Sequence, residues 1–389
     1  MALPLGLYIH IPFCRRRCAY CDFNTYAQVE EGLKIRYQRA LVADLRASAA
    51  SLARKLGVER PPLGTLYVGG GTPTSLPISF LVELLEEVRG LFQLSPRAEL
   101  SLESNPGLVE RSGLCALRQA GYNRLSLGVQ SLEPSLLKLL GRIHGVEEVE
   151  ASVAWAREAG FENLNLDLIY GLPTQTLKDW ERTLAGVLSL KPQHISAYAL
   201  SVEEGTPLAH NLERGLYALP TEEEVESLER ALVRYLRPAG FRHYEISNWG
   251  RPGYACRHNL LYWANAQYLG VGAGAVSYLG GWRFKRRNHP AQYLEALERD
   301  GNLYTEAERL GELSHLQETL ILGLRRQRGI TWRELEAHAP PAWRPHLRPW
   351  LDDLSATLPP GLLVPTPKGY RLTGRGRDLS NEIFTRLFF

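Results

Sequence analysis

The sequence predicts an α/β protein, in which an incomplete parallel (β/α)6 barrel is followed by a small winged-helix-like domain. Six short apolar strands alternate with amphipathic helices over the first two thirds of the 389 residues, which is typical of parallel β/α units. Fewer than eight units leave such a barrel open on one side. From Leu310 onward the pattern changes to three helices and a hairpin. We therefore expect a barrel at 1–215, a barrel extension at 216–309 and a C-terminal domain at 310–389.

The predicted elements follow one another with short connections. The strands are predicted at 6–11, 65–68, 99–103, 124–129, 163–169 and 194–199. The helices of the barrel are predicted at 33–56, 78–91, 111–120, 146–159, 177–189 and 222–236. Gly121 and Gly160 follow two of these helices as C-terminal stops. The last domain has predicted helices at 316–323, 332–338 and 348–358 and hairpin strands at 362–364 and 370–373.

Composition excludes several classes of protein. With 44% hydrophobic residues the chain can bury a sizeable core, and a formal net charge of +3 is too small to indicate a nucleic-acid partner. The sequence contains no apolar run long enough to span a membrane, and its N-terminus lacks the basic segment of a signal peptide. Five cysteines, three of them clustered, do not make a disulfide framework. We therefore expect a cytoplasmic protein.

Three clustered cysteines follow the first strand. Cys14, Cys18 and Cys21 have the spacing C-x3-C-x2-C. A four-iron cluster normally takes four cysteines, so three leave one iron open to a chelating ligand, as in catalytic metal sites. The alternative is a zinc site, but no His or Cys follows nearby to complete a tetrahedral set. The spacing therefore favours an iron–sulfur cluster with an open iron.

Polar residues stand at the ends of the next strands. Gly69, Gly70 and Gly71 follow the second strand, and Glu103, Gln130 and Asp167 come at the ends of the third, fourth and fifth. The carboxyl ends of parallel strands meet at one mouth of a barrel, and glycine lets the backbone approach a ligand closely. Each residue alone could be a satisfied core group or a turn residue. Together, beside the cysteine loop, they predict a ligand site.

These motifs resemble the coproporphyrinogen-oxidase-like branch of the radical S-adenosylmethionine (SAM) family. The resemblance covers residues 8–13, the three cysteines, 69–74, 128–130, 140–144 and 167–173. It implies a [4Fe–4S] cluster on Cys14, Cys18 and Cys21. It also implies a SAM site formed by Tyr8, Tyr20, Gly70, Gly71, Thr72, Glu103, Gln130, Arg142, Asp167 and Ala199. In this family the cluster reduces SAM to release a 5′-deoxyadenosyl radical, but the sequence leaves open whether this chain turns SAM over.

Two functions compete within that branch. Oxygen-independent coproporphyrinogen III dehydrogenases, which decarboxylate their substrate oxidatively through that radical, carry a further cysteine two residues after the third and a longer N-terminal segment. Here Phe23 occupies that position, and the first strand starts almost at residue 1. The segment 21–24 and the HNxxYW motif of Arg257–Trp263 instead resemble haem chaperones of the HemW type. That resemblance implies haem as cargo, delivered to client proteins such as membrane-associated respiratory enzymes, and no dehydrogenase activity.

The segment after the barrel supplies candidate haem contacts. Cys256, His258 and Tyr262 carry side chains of types that bind haem iron. The alternative is that His258 only makes hydrogen bonds and Tyr262 fills core. The nearby glycines of 270–274 are expected to approach the SAM site.

Two further predictions concern charge and burial. The basic run of Arg283, Lys285, Arg286 and Arg287 is either a solvated face or a clamp for haem propionates. We expect Cys115 to be a buried small apolar residue of its helix.

Overall fold

The computed structural model of the protein describes residues 5–299 and 301–387. Residues 1 and 389, the outer limits of the predicted domains, lie outside the described residues. Residues 1–4 of the N-terminus, where we expect no signal peptide, also lie outside them. A mixed sheet of 12 strands forms the centre of the structure. None of the helices formed by the described residues is long and apolar enough to cross a membrane.

The six predicted parallel strands are confirmed and lie side by side in chain order. They are β1 (Leu5–Ile11), β2 (Pro62–Gly70), β3 (Gln93–Ser104), β4 (Arg124–Gln130), β5 (Asn163–Tyr170) and β6 (His194–Ala199). The helices around them are α1 (Glu31–Leu56), α2 (Ile78–Leu91), α3 (Arg111–Ala120), α4 (Pro134–Leu139), α5 (Val146–Glu158), α6 (Leu177–Ser189), α7 (Pro207–Glu213) and α8 (Glu222–Leu236). A 3-10 turn covers Pro73–Ser75.

The sheet continues beyond these six strands. The additional elements are β7 (Arg242–His243), β8 (Asn248–Gly250), β9 (Tyr268–Val271), β10 (Val276–Leu279), β11 (Trp282–Arg286) and β12 (Tyr304–Arg309), with α9 (Arg257–Trp263) and α10 (Pro290–Glu298) between them. Strand β9 pairs parallel with β1, and β10 to β12 add antiparallel strands beyond it. At the other edge β8 pairs antiparallel with β6. The predicted extension at 216–309 thus contributes strands to the same sheet as the barrel.

Alternate residues of the parallel strands point to opposite faces. On β3, Leu100 and Leu102 are buried in the main apolar core with the helices, so Glu99, Ser101 and Glu103 face the other way, into the barrel. Parallel barrels usually fill this interior with branched apolar side chains. Here the inward face is polar, which leaves room for a cavity lined by hydrogen-bonding groups.

The C-terminal domain has its own apolar core, built around Leu320, Leu335, Leu351 and Tyr370. Its elements are α11 (Glu312–Leu324), β13 (Ile330–Thr331), α12 (Trp332–His338), a 3-10 turn (Pro341–His346), α13 (Leu347–Thr357), β14 (Leu363–Thr366), β15 (Gly369–Leu372), α14 (Gly374–Asp378) and α15 (Ser380–Thr385). The three predicted helices and the hairpin are present, and β13 pairs with β15 to complete a three-stranded sheet. We propose residue 310 as the domain boundary, because the second core begins just after it.

Two predictions about single segments are wrong, one of them only in part. Cys115 is only half-buried on α3, where its neighbours Leu114 and Leu117 take the buried positions. The basic run is not a free anion clamp, because its members are engaged within the protein. It is a solvated face only in part, since the Arg283 and Lys285 side chains are 33% exposed in surface ion pairs whereas Arg286 is buried. Arg286 is 1% exposed and pairs with Asp44, and Arg283 pairs with Glu308 and Glu318. In the same strand region Lys285 pairs with Glu306 and the Arg287 Nε donates to the Asn302 carbonyl.

Candidate functional site at the barrel mouth

A cavity of about 480 Å³ opens at the carboxyl ends of the parallel strands. Every predicted cluster and SAM residue except Tyr8 lines it. These lining residues are Cys14, Cys18, Tyr20, Cys21, Gly70, Gly71, Thr72, Glu103, Gln130, Arg142, Asp167 and Ala199. The structure therefore brings together side chains that are separated by up to 185 residues in the chain.

The cysteine loop packs closely on the glycine turn after β2. The Cys14 Sγ lies 3.5 Å from the Thr72 Oγ1. A Cβ added at Gly71 would stand 2.9 Å from that sulfur and 2.8 Å from the Phe13 carbonyl oxygen. Only glycine fits there, because any side chain would push the turn away from the cysteine loop.

Burial favours the protonated form of two of the thiols, Cys14 and Cys21. Burial raises the pKa of Cys14 to about 11, although the hydrogen bond with Thr72 opposes this, and burial also raises the pKa of Cys21. Thiolates are the iron ligands, so cluster binding has to release protons from this loop. Among the described residues, no three His, Cys, Asp or Glu converge on a single metal ion. A cubane requires no such convergence because each thiolate binds a different iron, so the loop fits a cluster better than a zinc ion.

Two carboxylates project into the cavity from neighbouring parts of the barrel. The Glu103 Oε1 accepts from the Tyr67 hydroxyl at 2.7 Å, and its Oε2 accepts from the Gly70 N–H at 3.1 Å. Burial raises the pKa of Glu103 to about 7 against the effect of these hydrogen bonds. Burial likewise raises the pKa of Asp167, which accepts from Ser126 and Asn165 at 2.9 and 2.8 Å.

Arg142 carries a buried donor without a partner. Its Nη2 donates to the Asn105 Oδ1 and the Gly128 carbonyl, both at 2.6 Å, and its Nη1 donates to the Cys18 Sγ at 3.2 Å. Its Nε has no hydrogen-bond partner among the described residues. A buried unsatisfied donor costs about 1–3 kcal/mol. A ligand carboxylate beside Arg142 would remove that cost, and the donor set therefore fits the methionine end of SAM.

Backbone strain marks the same edge of the sheet. Gln130 ends β4 with a φ of 68°, and the register with β5 shifts at this point. A non-glycine residue in the left-handed region costs about 1–3 kcal/mol and persists where the surroundings impose it. The strain turns the strand end toward the cavity that Gln130 lines.

A hydrogen-bonded chain beneath Asp167 was missed by sequence reasoning. The Tyr244 hydroxyl bonds to the His194 Nε2 at 2.7 Å, and the His194 Nδ1 bonds to the Asn165 Oδ1 at 2.6 Å. Asn165 then donates to Asp167 and fixes its orientation. The only sequence signal was a polar residue at an inward-facing position of each strand, which also occurs in satisfied cores.

Tyr8 lies elsewhere. Its hydroxyl bonds to the His10 Nδ1 at 2.9 Å, and its ring lines a second cavity of about 420 Å³, together with Tyr262, Trp263 and Tyr268. Its ring also stacks on that of Tyr67, which lines the first cavity, with the ring centroids 6.3 Å apart. The assignment of Tyr8 to the SAM site stays a prediction.

The expected approach of the glycines in 270–274 to the SAM site is also wrong. A Cβ at Gly272 would meet the His10 carbonyl oxygen and the Tyr37 hydroxyl, and Gly274 lines the second cavity. Close packing of the barrel extension against β1, α1 and the loop that contains Asn24 explains these two glycines.

The three haem candidates do not face one common space. Cys256 lines the first cavity and Tyr262 the second. His258 is 1% exposed, and both its ring nitrogens are engaged, Nδ1 with the Thr65 hydroxyl at 2.8 Å and Nε2 with the Tyr262 hydroxyl at 2.9 Å. Burial lowers the pKa of His258 to about 3. An iron atom could bind this imidazole only after one of the two hydrogen bonds had broken.

Comparison with known proteins agrees with the fold and the motifs. The model of the radical SAM superfamily matches residues 8–185, and the model of the HemN C-terminal domain matches 312–379. The heme chaperone HemW of Mycobacterium tuberculosis (strain H37Rv) is 39% identical over 99% of this chain and 95% of its own length. The Bacillus subtilis protein of the same name is 35% identical over 97% of both chains.

One solved structure is similar to this chain over nearly the whole of its 389 residues. The coproporphyrinogen III oxidase HemN of Escherichia coli, described as a radical SAM enzyme, superposes with a TM-score of 0.84 at 25% identity. The match covers 99% of this chain and 90% of that one. Sequence similarity along the whole chain and the shared architecture lead to one conclusion: this chain belongs to the HemW family of the radical SAM superfamily.

Proposed function

We propose that the protein binds a [4Fe–4S] cluster and SAM at the barrel mouth and carries haem to client proteins. The observation behind the first part is a single cavity that gathers three thiols, two carboxylates and the unpartnered Nε of Arg142. The second part rests on relatives that are named heme chaperones.

Each residue of the cavity has a distinct task in this proposal. Cys14, Cys18 and Cys21 hold three irons and leave the fourth for SAM. The Arg142 Nε donates to the carboxylate of the methionine part, and Glu103 and Asp167 accept from ribose hydroxyls. When bound, the two cofactors together supply an electron and a cleavable carbon–sulfur bond.

The remaining residues shape and close the site. Gly70 and Gly71 let the backbone approach the ligand, and Thr72 and Gln130 supply polar side chains beside it. Tyr20 and Ala199 form part of the wall of the site. Cys256 and Tyr262 are the candidate haem contacts, because each lines a cavity, whereas His258 has no free nitrogen.

The cofactor part is tested by anaerobic reconstitution. We expect about four irons and four sulfides per chain, and a change in the EPR signal of the reduced cluster when SAM is added. Stoichiometric zinc, or a signal that saturating SAM leaves unchanged, would contradict it. The haem part is tested by titration with haem, for which we expect a Soret shift that saturates near one haem per chain.

The second candidate function is oxidative decarboxylation of coproporphyrinogen, which the similarity to HemN favours. Phe23 stands where the dehydrogenases carry a further cysteine, and its side chain is 65% exposed at the mouth of the cavity. We expect no protoporphyrinogen from coproporphyrinogen under anaerobic conditions with reduced cluster and excess SAM. A genuine dehydrogenase is the positive control, and turnover by this protein would reverse the choice.

A further inference from the structure

The first cavity continues from the mouth toward the opposite end of the barrel. Arg124 is the first residue of β4, and Gly128, four residues further along, lies level with Asp167. Four residues of strand span roughly 13 Å. Toward the N-terminal ends of the strands this cavity is lined by Arg124, Asn165, His194, Cys256 and Asn259. This part, which we call the foot of the cavity, lies below the candidate SAM residues.

Arg124 is a buried cation without an ion-pair partner. Its side chain is 1% exposed, and its Nη1 donates to the Asn163 Oδ1 at 2.8 Å and to the Tyr254 carbonyl at 3.3 Å. No carboxylate of the part of the chain that the structure describes lies within ion-pair distance of it. Both of these acceptors are neutral, and burial of a charge costs several kcal/mol when nothing offsets it. Here burial lowers the pKa of Arg124, but neighbouring groups, Glu99 among them, outweigh that effect and raise the pKa.

Glu99 and Asp167 both interact electrostatically with Arg124, and both are hydrogen-bonded to other groups. Glu99 accepts from the backbone N–H groups of Arg257 and His258 at 2.9 and 3.1 Å, and its Oε1 lies 3.6 Å from the Cys256 Sγ. These contacts join β3 to the start of α9. Glu99 therefore weakens the positive potential at the foot but forms no ion pair with the Arg124 guanidinium.

The other titratable groups at the foot are neutral. Burial, with the charge of Arg124, holds the pKa of His194 well below its usual value, and both its ring nitrogens are bonded. Burial raises the pKa of Cys256 to about 12, so this side chain is a thiol at neutral pH. The positive charge of Arg124 thus lies beside neutral side chains at the foot of the cavity.

We propose that the foot of the cavity is an anion site in which Arg124 binds the carboxylate of a small organic acid. A guanidinium presents its donors as a planar fork that matches the two oxygens of a carboxylate. Asn259 lines the same space and supplies a further polar contact. This site is separate from the candidate SAM site at Arg142, and it requires neither a cluster nor SAM.

The test uses the full-length protein without added cofactors. Acetate and propionate are titrated by calorimetry or by ligand-observed NMR, with acetamide and propionamide as neutral analogues of the same shape. We expect saturable binding of the carboxylates and affinities at least about tenfold weaker for the amides, because only the carboxylate neutralises a buried cation. Chloride is titrated in parallel to distinguish a carboxylate site from a site for any small anion.

Three variants locate the binding. Arg124→Gln should abolish carboxylate binding, whereas Arg142→Gln, at the mouth, should retain it. Arg54→Gln on the exposed side of α1 is the matched surface control. Loss of binding in Arg142→Gln instead of Arg124→Gln would overturn the assignment.

If Arg124→Gln does not fold, the titrations of the wild-type protein still test the proposed anion site. No saturable carboxylate binding, or equal affinity for acetate and acetamide, would overturn the proposal. Chloride binding as tight as acetate would also overturn it, since a spherical ion does not use the fork of the guanidinium. Because these measurements need no iron, they can fail while the proposed cofactor site stands, and the reverse also holds.

Discussion

The mouth of the barrel and the segment from Cys256 to Arg287 both carry polar motifs, but they differ in how those polar groups are satisfied. At the mouth, Arg142 has an unpartnered donor and Gln130 is held at a positive φ. In the later segment, His258 and Arg286 are buried with their polar atoms engaged inside the protein. The exception there is the Trp263 Nε1, which has no hydrogen-bond partner among the described residues. From residue type alone, the sequence predicted ligand contacts in both regions.

The difference shows what separates a ligand site from a polar core. Buried polar groups in a core are paired, because an unpaired group costs about 1–3 kcal/mol. In a ligand site a polar group can stay unpaired, and carries that free-energy cost, until the ligand binds.

Loss of one cysteine should abolish the cluster. In Cys18→Ser we expect iron after anaerobic reconstitution to fall from about four per chain to near zero, because only two cluster thiolates remain. Iron and sulfide analysis with the visible absorption spectrum measures this. Cys115→Ser is the control, since Cys115 lies on α3 outside the cavity lining, and it should keep its iron. Full iron content in Cys18→Ser would mean that the loop is not the cluster site.

Removing one partner from the later segment should cost stability without affecting iron. Asp44→Ala leaves Arg286 buried without its carboxylate, which accepts from the Arg286 Nε at 2.7 Å. We expect a loss of about 3–5 kcal/mol in the free energy of unfolding, as for other broken buried pairs. Urea denaturation measures it, with Glu306→Gln at the exposed pair with Lys285 as the control, for which at most about 1 kcal/mol is expected. Equal effects of the two variants would contradict the contrast.

Glu103 should make SAM binding depend on pH. Its pKa is about 7 because burial opposes ionisation, and only the ionised carboxylate accepts two ribose hydroxyls. We expect SAM affinity to fall as the pH drops from 8 to 6. Glu103→Gln should bind about 10- to 100-fold more weakly at pH 8, the usual loss for a hydrogen bond to a charged group. Binding titrations at several pH values measure this. Equal affinity of the wild-type protein for SAM at pH 6 and pH 8 would contradict the prediction.

In the ligand-free protein, ionisation of Glu103 should have the opposite effect and lower the stability of the fold. Its folded pKa lies above the unfolded value of 4.5, so the fold prefers the protonated acid. The stability that this preference contributes is present below about pH 4.5 and is lost as pH rises through about 7. Glu103→Gln should therefore unfold at a higher temperature than wild type at pH 8, with the difference shrinking at pH 5. A less stable variant at pH 8 would show that the ionised carboxylate supports the fold.

The sequence revealed those parts of the site that have local signals. The C-x3-C-x2-C spacing and the polar residues at strand ends predicted the cluster loop and most of the cavity lining, because strand order fixes where those ends meet. Strand β9 was missed because four residues containing a glycine carry little periodicity. The burial of Arg286 could not be predicted either, since its partner Asp44 is 242 residues away in the chain.

His258 separates the two explanations of the HNxxYW motif. His258→Gln should lower the free energy of unfolding by about 1–3 kcal/mol, because the Thr65 and Tyr262 hydroxyls lose a buried partner. Iron content and the haem Soret shift should stay at wild-type values. Unchanged stability together with a lost Soret shift would instead identify His258 as a haem ligand.

The smallest effect is expected at the contact between the barrel extension and the C-terminal domain. Glu318 on α11 pairs with Arg283 on β11, and the two side chains are 22% and 33% exposed. An ion pair of that exposure contributes at most about 1 kcal/mol and is screened by salt. The domain keeps its own apolar core, and the bonds from Asn265 to Thr319 and from Tyr278 to His315 also join it to the barrel extension.

Glu318→Gln should therefore lower the free energy of unfolding by less than about 1 kcal/mol in low salt, and by less still in 1 M salt, with no change in iron content. Glu308→Gln is the matched control, because Glu308 pairs with the same arginine from within the barrel extension. Urea denaturation at two salt concentrations and iron analysis measure both variants. If Glu318→Gln lost its iron while Glu308→Gln kept it, docking of the C-terminal domain would be needed to hold the barrel mouth in shape, and the two cores would form one cooperative unit.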